Sequence, residues 1–518
     1  MTAKKRYDVL SSDRSQYLRV AEDAAKLTIP YLIHQDDNAS GARNLVTPWQ
    51  GVGAKGVVTL ASKLMLALLP PQTSFFKLQV DDTMLGEIGP EIKSELDLSF
   101  AKIERTILEA IAASDDRVVV HQALKHLVVA GNALLYMGDK GLKLYPLNRY
   151  VVDRDGNGNV IEIVTKEKIS KKIIDELVPS LKKMETSYND SDDTNTDCDV
   201  FTHVKIDKNK VTWHQEVYDK IIPKSQGKAP LNATPWLPLR FNTVDGEGYG
   251  RGRVEEFMGD LKSLEALSQA LVEGSAAAAK VVFTVSPSAS TKPATLASAG
   301  NGAIIQGRPD DIGVVQVGKT ADFATAYNMM QQLEKRLAEA FLILSVRQSE
   351  RTTAEEVRMT QMELEQQLGG LFSLLTVEFL VPYLDRKLNV FQKTGKIPRL
   401  PKGIVHPTIV AGINSLGRGQ DRESLGMFLQ TIAQTMGPEA LQSFINPEEV
   451  IKRLAAASGI DVLNLVRSMQ EIQQEGMQQQ QMQQQQSLEL EGAKQASKFA
   501  GVGQKQQEAM MNSQQPPQ

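Results

Sequence analysis

Glycine spacing near the N-terminus is the first pattern that could do chemistry. Residues 51–56 read GVGAKG, which matches the G-x-G-x-x-G spacing of dinucleotide-binding loops. Such a loop needs a strand before the glycines, so that the pyrophosphate lies at the N-terminus of the following helix. The preceding residues, TPWQ, do not have the pattern of a strand. We therefore predict that these glycines allow close packing of a helix.

A second candidate is a calcium-binding loop. Residues 153–158, DRDGNG, place Asp153, Asp155 and Asn157 at the offsets of an EF-hand loop. The twelfth position of that loop should be a bidentate Glu and is Val164, and the flanking residues have the pattern of strands and not of helices. We predict a hairpin turn.

The histidines are candidates for metal ligands. His203 and His214 could face each other across the DKNK turn at 207–210, but two histidines without a third ligand make a poor zinc site. His121 and His126 are five residues apart and would not share a helix face closely. We expect no metal and no cofactor. We also expect no ATPase-type phosphate-binding loop and no catalytic carboxylate pair, and therefore no enzyme.

Composition and charge describe an ordinary globular chain of several domains. The chain has 518 residues, 42% hydrophobic and 23% charged, and its 58 Lys and Arg against 62 Asp and Glu give a formal charge of −4. This balance disfavours tight DNA binding by a single chain. The one cysteine, Cys198, suits a reducing compartment, and its acidic surroundings at 185–199 would blunt its reactivity. The apolar run 57–71 is interrupted by Lys63 and is too short to span a bilayer, so we expect a soluble protein of cytoplasmic origin.

Hydrophobic periodicity predicts a helix-rich chain with strands inserted. Helical patterns cover 17–69 apart from a loop at 37–44, and then 98–114 and 118–135. β-branched runs split by Gly, Asn and Asp predict hairpins between 142 and 240. Further helices are predicted over 353–393, with kinks at 369–370 and near 382, and within 418–470. The glutamine-rich C-terminal tail is of a composition that is usually disordered.

Two helices flank a small strand-rich module in the second half of the chain. Residues 259–280 and 321–344 have helical patterns, and 281–319 contains short apolar runs joined by Ser, Pro and Gly. The first helix ends in SAAAAK, whose small side chains allow close approach of a neighbouring helix.

A polar break, SVRQSERT at 345–352, separates the second of these helices from the next. Thr352 with Glu355, or Thr353 with Glu356, can form a capping box, so the following helix restarts on a local signal. The break is therefore predicted to be a defined loop that carries two arginines.

Several stretches resemble the portal proteins, or head-to-tail connectors, of short-tailed bacteriophages of the podovirus and autographivirus type. The resemblance is carried, in order, by TPWQGVGAKGVVTLASKLMLALLP, ALKHLVVAGNALLYM, LYPLNRYVVDRDGNGNV, GEGYGRGRVEEFMGDLKSLEALSQALVEGS, RTTAEEVRMTQMELEQQLGG and GINSLGRGQD. It covers most of residues 17–425 and excludes the acidic loop and the tail.

The resemblance implies an α+β, mainly helical subunit with wing, stem, clip and crown parts, which assembles into a ring with a central channel. It assigns the parts as follows: wing 1–250, first stem helix 251–280, clip 281–319, second stem helix 320–344, tunnel loop 345–352, long wing helix 353–398, crown 399–470 and tail 471–518.

The resemblance also implies a function and partners. Portal proteins form a ring, generally a dodecamer, at one capsid vertex of the virion, where double-stranded DNA passes without sequence-specific contacts during genome packaging and ejection. The implied partners are other copies of the chain, the terminase large subunit, tail adaptor and tail tube proteins, major capsid and scaffolding proteins, and internal core or ejection proteins. No membrane is implied. A ring-forming scaffold or adaptor without a channel, or a packaging enzyme, remains as an alternative.

Two groups of residues are candidates for the site. By position, Ser345, Arg347, Gln348 and Arg351 match the tunnel loop, where guanidinium groups repeated around a ring could contact phosphates without reading bases. Alternatively, the arginines pair with Glu350, Glu355 or Glu356 at a helix junction. The small residues predicted to pack between subunits in the stem are Ala276, Ala277, Ala278 and Ala279.

Overall fold

The computed structural model mixes helices with antiparallel strands, which confirms the predicted α+β class. It forms two compact units, Met1–Leu416 and Gly417–Gln518. The structure describes residues 1–34, 45–70, 74–80, 90–139, 141–177, 197–278, 282–288, 290, 292–300, 303–315, 320–343, 369–399, 405–409, 418–437 and 450.

Helix α4 lies at the centre of the N-terminal helices. Helices α1 (Ala3–Lys26) and α2 (Val52–Leu68) both contact α4 (Asp116–Ala130). Helix α3 (Pro90–Ala112) contacts strand β1 (Phe76–Val80) as well as α4. Since α4 has neighbours on several sides, it buries consecutive residues in its last turns, from His126 to Ala130. A helix that is apolar around most of its circumference belongs in a core.

The helix predicted over 118–135 ends at Ala130, so its last residues were predicted wrongly. Gly131 terminates the helix with a positive φ of 71°, and a Cβ there would lie 2.6 Å from the Gly250 carbonyl oxygen. The side-chain amide of Asn132 then donates to the Gly250 carbonyl and accepts from the Gly250 amide, each at 2.7 Å. The apolar residues that follow therefore continue as a strand.

Two antiparallel sheets follow α4, which confirms the hairpins predicted between 142 and 240. The first has the order β10–β2–β3, and the second the order β4–β5–β6–β7–β8 with β9 also paired to β7. A short helix, α5 (Lys171–Leu177), follows β5. The strands are β2 Asn132–Gly138, β3 Gly141–Tyr145, β4 Tyr150–Arg154, β5 Val160–Ser170, β6 Asp197–Ile206, β7 Lys210–Val217, β8 Lys220–Ile221, β9 Gly227–Pro230 and β10 Trp236–Arg240.

Cys198 lies in strand β6 and not in a loop, which corrects the prediction from the acidic run. Its side chain is buried opposite Ile169, and its sulfur lies 2.9 Å from the Tyr218 hydroxyl oxygen. Side chains of a strand alternate between its two faces, so Cys198 and Val200 enter a small apolar cluster while the flanking aspartates do not. The acidic composition of residues 185–199 obscured this alternation in the sequence.

A two-stranded antiparallel sheet joins distant parts of the first unit. Strand β1 (Phe76–Val80) pairs with β13 (Val405–Ile409). The second strand falls in the range 399–470 that the resemblance assigns to the crown, but it lies within the first compact unit.

The second half of the first unit contains the predicted helix, strand module and helix. Helix α6 (Arg253–Glu256) leads into α7 (Met258–Ala278), and α9 (Thr320–Ala340) returns after the module. Between them, β11 (Val282–Val285) pairs antiparallel with β12 (Ile312–Val315), and a short helix α8 (Pro293–Ser298) lies in the connection. The strands joined by turns are confirmed.

The helix that follows the polar break contains an irregular turn. Residues 369–375 are α-helical, Thr376–Leu380 form a π-helical segment, and α10 (Val381–Lys393) continues with Pro382 in its first turn. Glu378 in the π segment accepts hydrogen bonds from the Arg240 guanidinium at 2.6 and 2.9 Å and from its backbone amide at 2.8 Å. The irregularity predicted near residue 382 thus takes the form of a π-turn held by an ion pair. Residues 353–368 of the predicted helix lie outside the described residues.

The second unit is described over one helix, α11 (Arg418–Met436), which agrees with the helix prediction there. Within the described parts of both units, none of the helices is sufficiently long and apolar to span a bilayer.

Candidate functional site

Helices α7 and α9 form an antiparallel hairpin along a single seam. Three contacts define its register. Asp260 accepts a hydrogen bond from Arg336 at 2.5 Å, and the Ser268 hydroxyl lies 3.8 Å from the Met330 sulfur. A Cβ on Gly274 would lie 2.6 Å from the Phe323 ring. Residue numbers rise on one helix and fall on the other along these three contacts, so the helices are antiparallel neighbours. A larger residue at position 274 would require the Phe323 ring to shift.

Away from this seam, the hairpin exposes large apolar side chains in the single chain. Val272, Tyr327 and Met329 are each about half exposed, at 52%, 50% and 52%. Ala276 and Ala277 are also exposed, Ala278 lies in the last turn of α7, and Ala279 lies outside the described residues. Of the four alanines predicted to pack between subunits, Ala276 and Ala277 therefore lie on the exposed surface of the hairpin.

Charge on the hairpin and its strand module is balanced. Residues 258–340 contain seven Lys and Arg against eight Asp and Glu. At the module, Ser290 donates from its amide and its hydroxyl to Asp311, both at 3.1 Å, which ties the connection to the strands.

The C-terminal end of α9 is held by two cations. The Lys63 ammonium donates to the Leu342 carbonyl at 2.6 Å, and the Arg253 guanidinium donates to the Ala340 carbonyl at 3.2 and 3.4 Å. Burial lowers the pKa of Lys63. Sequence reasoning assigned neither residue a role: Lys63 appeared only as an interruption of an apolar run, and Arg253 only within the GYGRGR motif.

The four predicted tunnel-loop residues, Ser345, Arg347, Gln348 and Arg351, lie outside the described residues. Their role stays a prediction.

The glycine-rich GEGYGRGR motif packs against the end of α4. Gly250 and Gly252 both approach Gly131 so closely that a Cβ on either would lie 2.7 Å from a backbone oxygen. Between them, Arg251 donates to Glu247 at 2.6 and 2.8 Å and to Glu255 at 2.6 Å. The hydrogen bonds to Glu247 have the largest effect, and together with the bond to Glu255 they raise the pKa of Arg251 above its ordinary value. The motif therefore connects the N-terminal helices to the start of the hairpin.

The glycine pattern GVGAKG serves close packing, as predicted. Gly51 precedes α2 directly, and the described residues before it, 45–50, contain no strand. A Cβ on Gly53 would lie 2.6 Å from the Leu27 carbonyl oxygen, and one on Gly56 would lie 2.7 Å from the Phe341 ring. These approaches account for two of its three glycines without a nucleotide.

The spacing of a phosphate loop does occur in the sequence, which the expectation of no such loop overlooked. Residues 313–320 read GVVQVGKT, which matches G-x-x-x-x-G-K-[ST]. In a phosphate loop the first glycine starts the turn after a strand, whereas Gly313 lies within β12, paired with Thr284. A Cβ at Gly313 would meet the Thr284 hydroxyl at 2.7 Å. Gly313 to Val315 are thus extended in a two-stranded antiparallel sheet and do not form the turn with which a phosphate loop begins.

The remaining candidate motifs are structural. The DRDGNG segment forms the β4–β5 turn, where Asp155 accepts from the amides of Asn157 and Asn159 at 2.9 and 2.8 Å. His203 and His214 are directly paired across β6 and β7, as predicted, with ring centroids 5.4 Å apart. No group of three metal-ligating side chains occurs among the residues that the structure describes.

Each of these two histidines is hydrogen-bonded to a carboxylate that also accepts a hydrogen bond from helix α1. His203 contacts Glu162, which accepts from Arg6 at 2.6 Å, and His214 contacts Glu216 at 2.9 Å. The Ala3 amide donates to Glu216 at 2.7 Å. Burial lowers the pKa of His203; burial alone would raise that of Glu162, but the hydrogen bonds from Arg6 and His203 lower it. The two carboxylates therefore fasten α1 to the sheet, and each histidine hydrogen-bonds one of them.

Comparison with known proteins places this architecture in a family. The family model described as "Bacteriophage head to tail connecting protein" matches residues 1–464. The chain is 39% identical over 488 residues to the portal protein of Enterobacteria phage T3, covering 92% of this chain and 90% of that one. It is 38% identical over 486 residues to the portal protein of Escherichia phage T7, covering 91% and 89%.

Other similarities are weaker. The portal protein of Enterobacteria phage SP6 is 30% identical over 484 residues, covering 91% of each chain. A solved structure of the neck of an empty GTA particle gives a TM-score of 0.40 at 11% identity, over 80% of this chain and 90% of that one, which is a loose likeness. The family model and the two phage relatives cover most of the chain, and the protein therefore belongs to the bacteriophage head to tail connecting protein family.

Proposed function

We propose that the chain is the subunit of a phage portal, a ring at one capsid vertex through which double-stranded DNA enters during packaging and leaves during ejection. The observation that carries this proposal is the α7–α9 hairpin, which leaves Val272, Tyr327 and Met329 half exposed in a chain 39% identical to a phage portal protein. A closed ring repeats one interface around an axis, so neighbouring copies would cover such side chains.

The charge balance supports a passive conduit. A protein that neutralises about 6 to 10 phosphates holds DNA in a strongly salt-dependent way. Seven basic against eight acidic residues across the hairpin and its module give no excess of positive charge to hold a moving duplex. The GVVQVGKT geometry gives no support to a motor enzyme in this chain, so an ATPase partner would supply the force.

The parts of the portal are proposed from the resemblance and the element order. The hairpin α7–α9 would form the stem, the β11–β12 module the clip, and residues 345–352 the tunnel loop in the channel. The N-terminal helices and sheets, with the 369–393 helix, would form the wing. Because β13 pairs with β1 in the first unit, we place the start of the crown after residue 416.

The partners follow from these parts. The ring, which we expect to be a dodecamer, would lie in the virion at the head-tail junction, and its subunits would be made in the host cytoplasm. Its clip would bind the terminase large subunit during packaging and a tail adaptor afterwards. Capsid, scaffolding and internal core proteins would contact the wing and crown.

Electron microscopy of the purified full-length protein tests the proposal. We expect a closed ring with a central hole wide enough for a DNA duplex. A ring with a blocked centre would favour a scaffold or adaptor instead, and a population of monomers alone would contradict the ring. Complementation of a phage that lacks its portal gene is the matched functional assay, in which the intact chain should restore packaged heads.

A further inference from the structure

The junction between the hairpin and helix α2 has the chemistry of a helix-end clamp. The last carbonyl groups of a helix have no partners within it and carry partial negative charge, which cations satisfy. Arg253 reaches the carbonyl of Ala340, the last residue of α9, at 3.2 Å, and Lys63 reaches the carbonyl of Leu342, two residues beyond the helix, at 2.6 Å. Both cations come from elements that belong to the body of the first unit, α2 and α6.

Apolar packing fixes the same end of α9. Phe341 is fully buried and contacts α2 at Gly56, where no side chain larger than hydrogen fits. The next residue, Leu342, has a positive φ of 56°, which ends the helical path. The point at which the chain leaves the hairpin is therefore set by the Phe341 ring, packed against Gly56, and by the Lys63 ammonium, bound to the Leu342 carbonyl.

The two cations differ in how much of their bonding goes to α9. Arg253 also donates to Glu256 at 2.6 Å and lies 4.9 Å from the Phe257 ring centroid, so its removal would disturb α6 as well. Lys63 donates to the Leu342 carbonyl from a site where burial lowers its pKa. A partly buried ammonium is retained where a strong acceptor offsets its lost hydration. Lys63 is thus the cleaner residue to vary.

The far side of this junction is formed by the helix that resumes after the tunnel-loop segment. A cavity of about 350 Å³ is lined by Arg253, Ala340 and Leu342 and also by Gly370, Leu371 and Leu374. Residues on both sides of segment 344–368 therefore line the same cavity. Any shift of the α9 end changes the anchor of the residues between.

We propose that Lys63, assisted by Arg253, is a positioning residue that clamps the end of the second stem helix and thereby sets where residues 345–352 enter the channel. The clamp itself is independent of any DNA role. Its consequence for DNA rests on the portal function proposed above.

Hydrogen exchange of the assembled full-length protein tests the clamp. The amides of Phe341 and Ile343 donate within the last turn, to Leu337 at 3.0 Å and to Ala338 at 2.7 Å. Loss of a hydrogen bond to a charged group should speed exchange at 341–343 about tenfold in Lys63→Met. Lys63→Arg keeps a donor and should restore slow exchange. Lys55→Met, at an exposed lysine on the same helix, should leave it unchanged.

Genome retention in complemented phage tests the consequence. Lys63→Met should assemble rings of normal size yet lose packaged DNA, while Lys63→Arg and Lys55→Met retain it. Unchanged exchange in Lys63→Met would overturn the clamp. Faster exchange with normal packaging would overturn the positioning role while leaving the clamp. If the unmodified protein forms no channel-bearing ring, the portal proposal fails whatever the exchange rates are.

Discussion

Acid sensitivity at His126 offers a quantitative test of how this core is built. His126 lies in α4 within the ALKHLVVAGNALLYM stretch, is 7% exposed, and has an Nδ1 atom without a hydrogen-bond partner. Burial lowers its pKa from 6.5 to about 4. A histidine that protonates more easily in the unfolded chain destabilises the fold as the pH falls through this interval. His126→Leu should remove that effect.

The magnitude follows from the two pKa values. Above pH 6.5 both states are neutral at this residue and the contribution vanishes. Between pH 7.5 and pH 4.5 the unfolded chain gains the proton and most of the folded chain does not, which costs roughly 2.5 kcal/mol of the free energy of unfolding. Below pH 4 both states bind the proton and the slope flattens.

Urea unfolding of the wild type and of His126→Leu at pH 7.5 and 4.5, followed by the circular dichroism of the helices, measures this difference. The drop in unfolding free energy should be smaller in the variant by roughly 2.5 kcal/mol, because the other carboxylates and histidines titrate equally in both proteins and cancel in the comparison. Gln122→Leu, at an exposed position of the same helix, should keep the full drop. An identical acid sensitivity in wild type and His126→Leu would refute the assignment of a neutral, desolvated histidine.

Three further predictions concern the channel, the subunit contact and the chain reversal after α4. Arg347→Ala combined with Arg351→Ala should leave ring assembly intact but impair genome packaging or retention, whereas replacing both arginines with lysine should preserve most of the packaged DNA. Normal packaging by the double alanine variant would show that the arginines have no role in the channel. Ala277→Lys should keep the chain folded, because the position is exposed, yet block ring assembly, whereas Ala277→Ser should assemble. Gly131→Ala should cost about 2 kcal/mol or more of unfolding free energy, since both its φ and its neighbours exclude a Cβ, while Gly246→Ala, with a φ of 80° and open space, should cost less; equal losses would show that the backbone angle alone matters.

Local signals in the sequence were sufficient for the hairpin and the turns. The runs around α7 and α9 have helical periodicity, and the Gly and Pro spacing between them predicts short strands, which β11 and β12 confirm. The DKNK turn likewise brings His203 opposite His214. In these cases residues close in sequence determine the geometry, so propensity and turn chemistry agree with the fold.

Long-range contacts were beyond the same reasoning. Strand β1 pairs with β13, whose sequence is remote, and no periodicity within either segment identifies its partner. Gly131 was included in a predicted helix because its neighbours are apolar; its role depends on the close approach of Gly250, far along the chain. The roles of Lys63 and Arg253 depend on where α9 ends in space. A single sequence does not contain these distances.

The pairing of three arginines with carboxylates bears on how well net charge predicts the proposed contact with DNA. Arg6 is paired with Glu162 and Asp153, Arg240 with Glu378, and Arg251 with Glu247 and Glu255. Each of these guanidinium groups uses two or more of its N–H donors on carboxylates within the fold, so few donors remain to contact a phosphate. In the described part of the chain these arginines stabilise junctions between elements. The near-neutral net charge therefore does not hide a basic surface formed by these three arginines. Any contact with a phosphate would have to come from other cationic side chains. That is the reason why Arg347 and Arg351 are worth testing as a pair with their charge-preserving lysine variants.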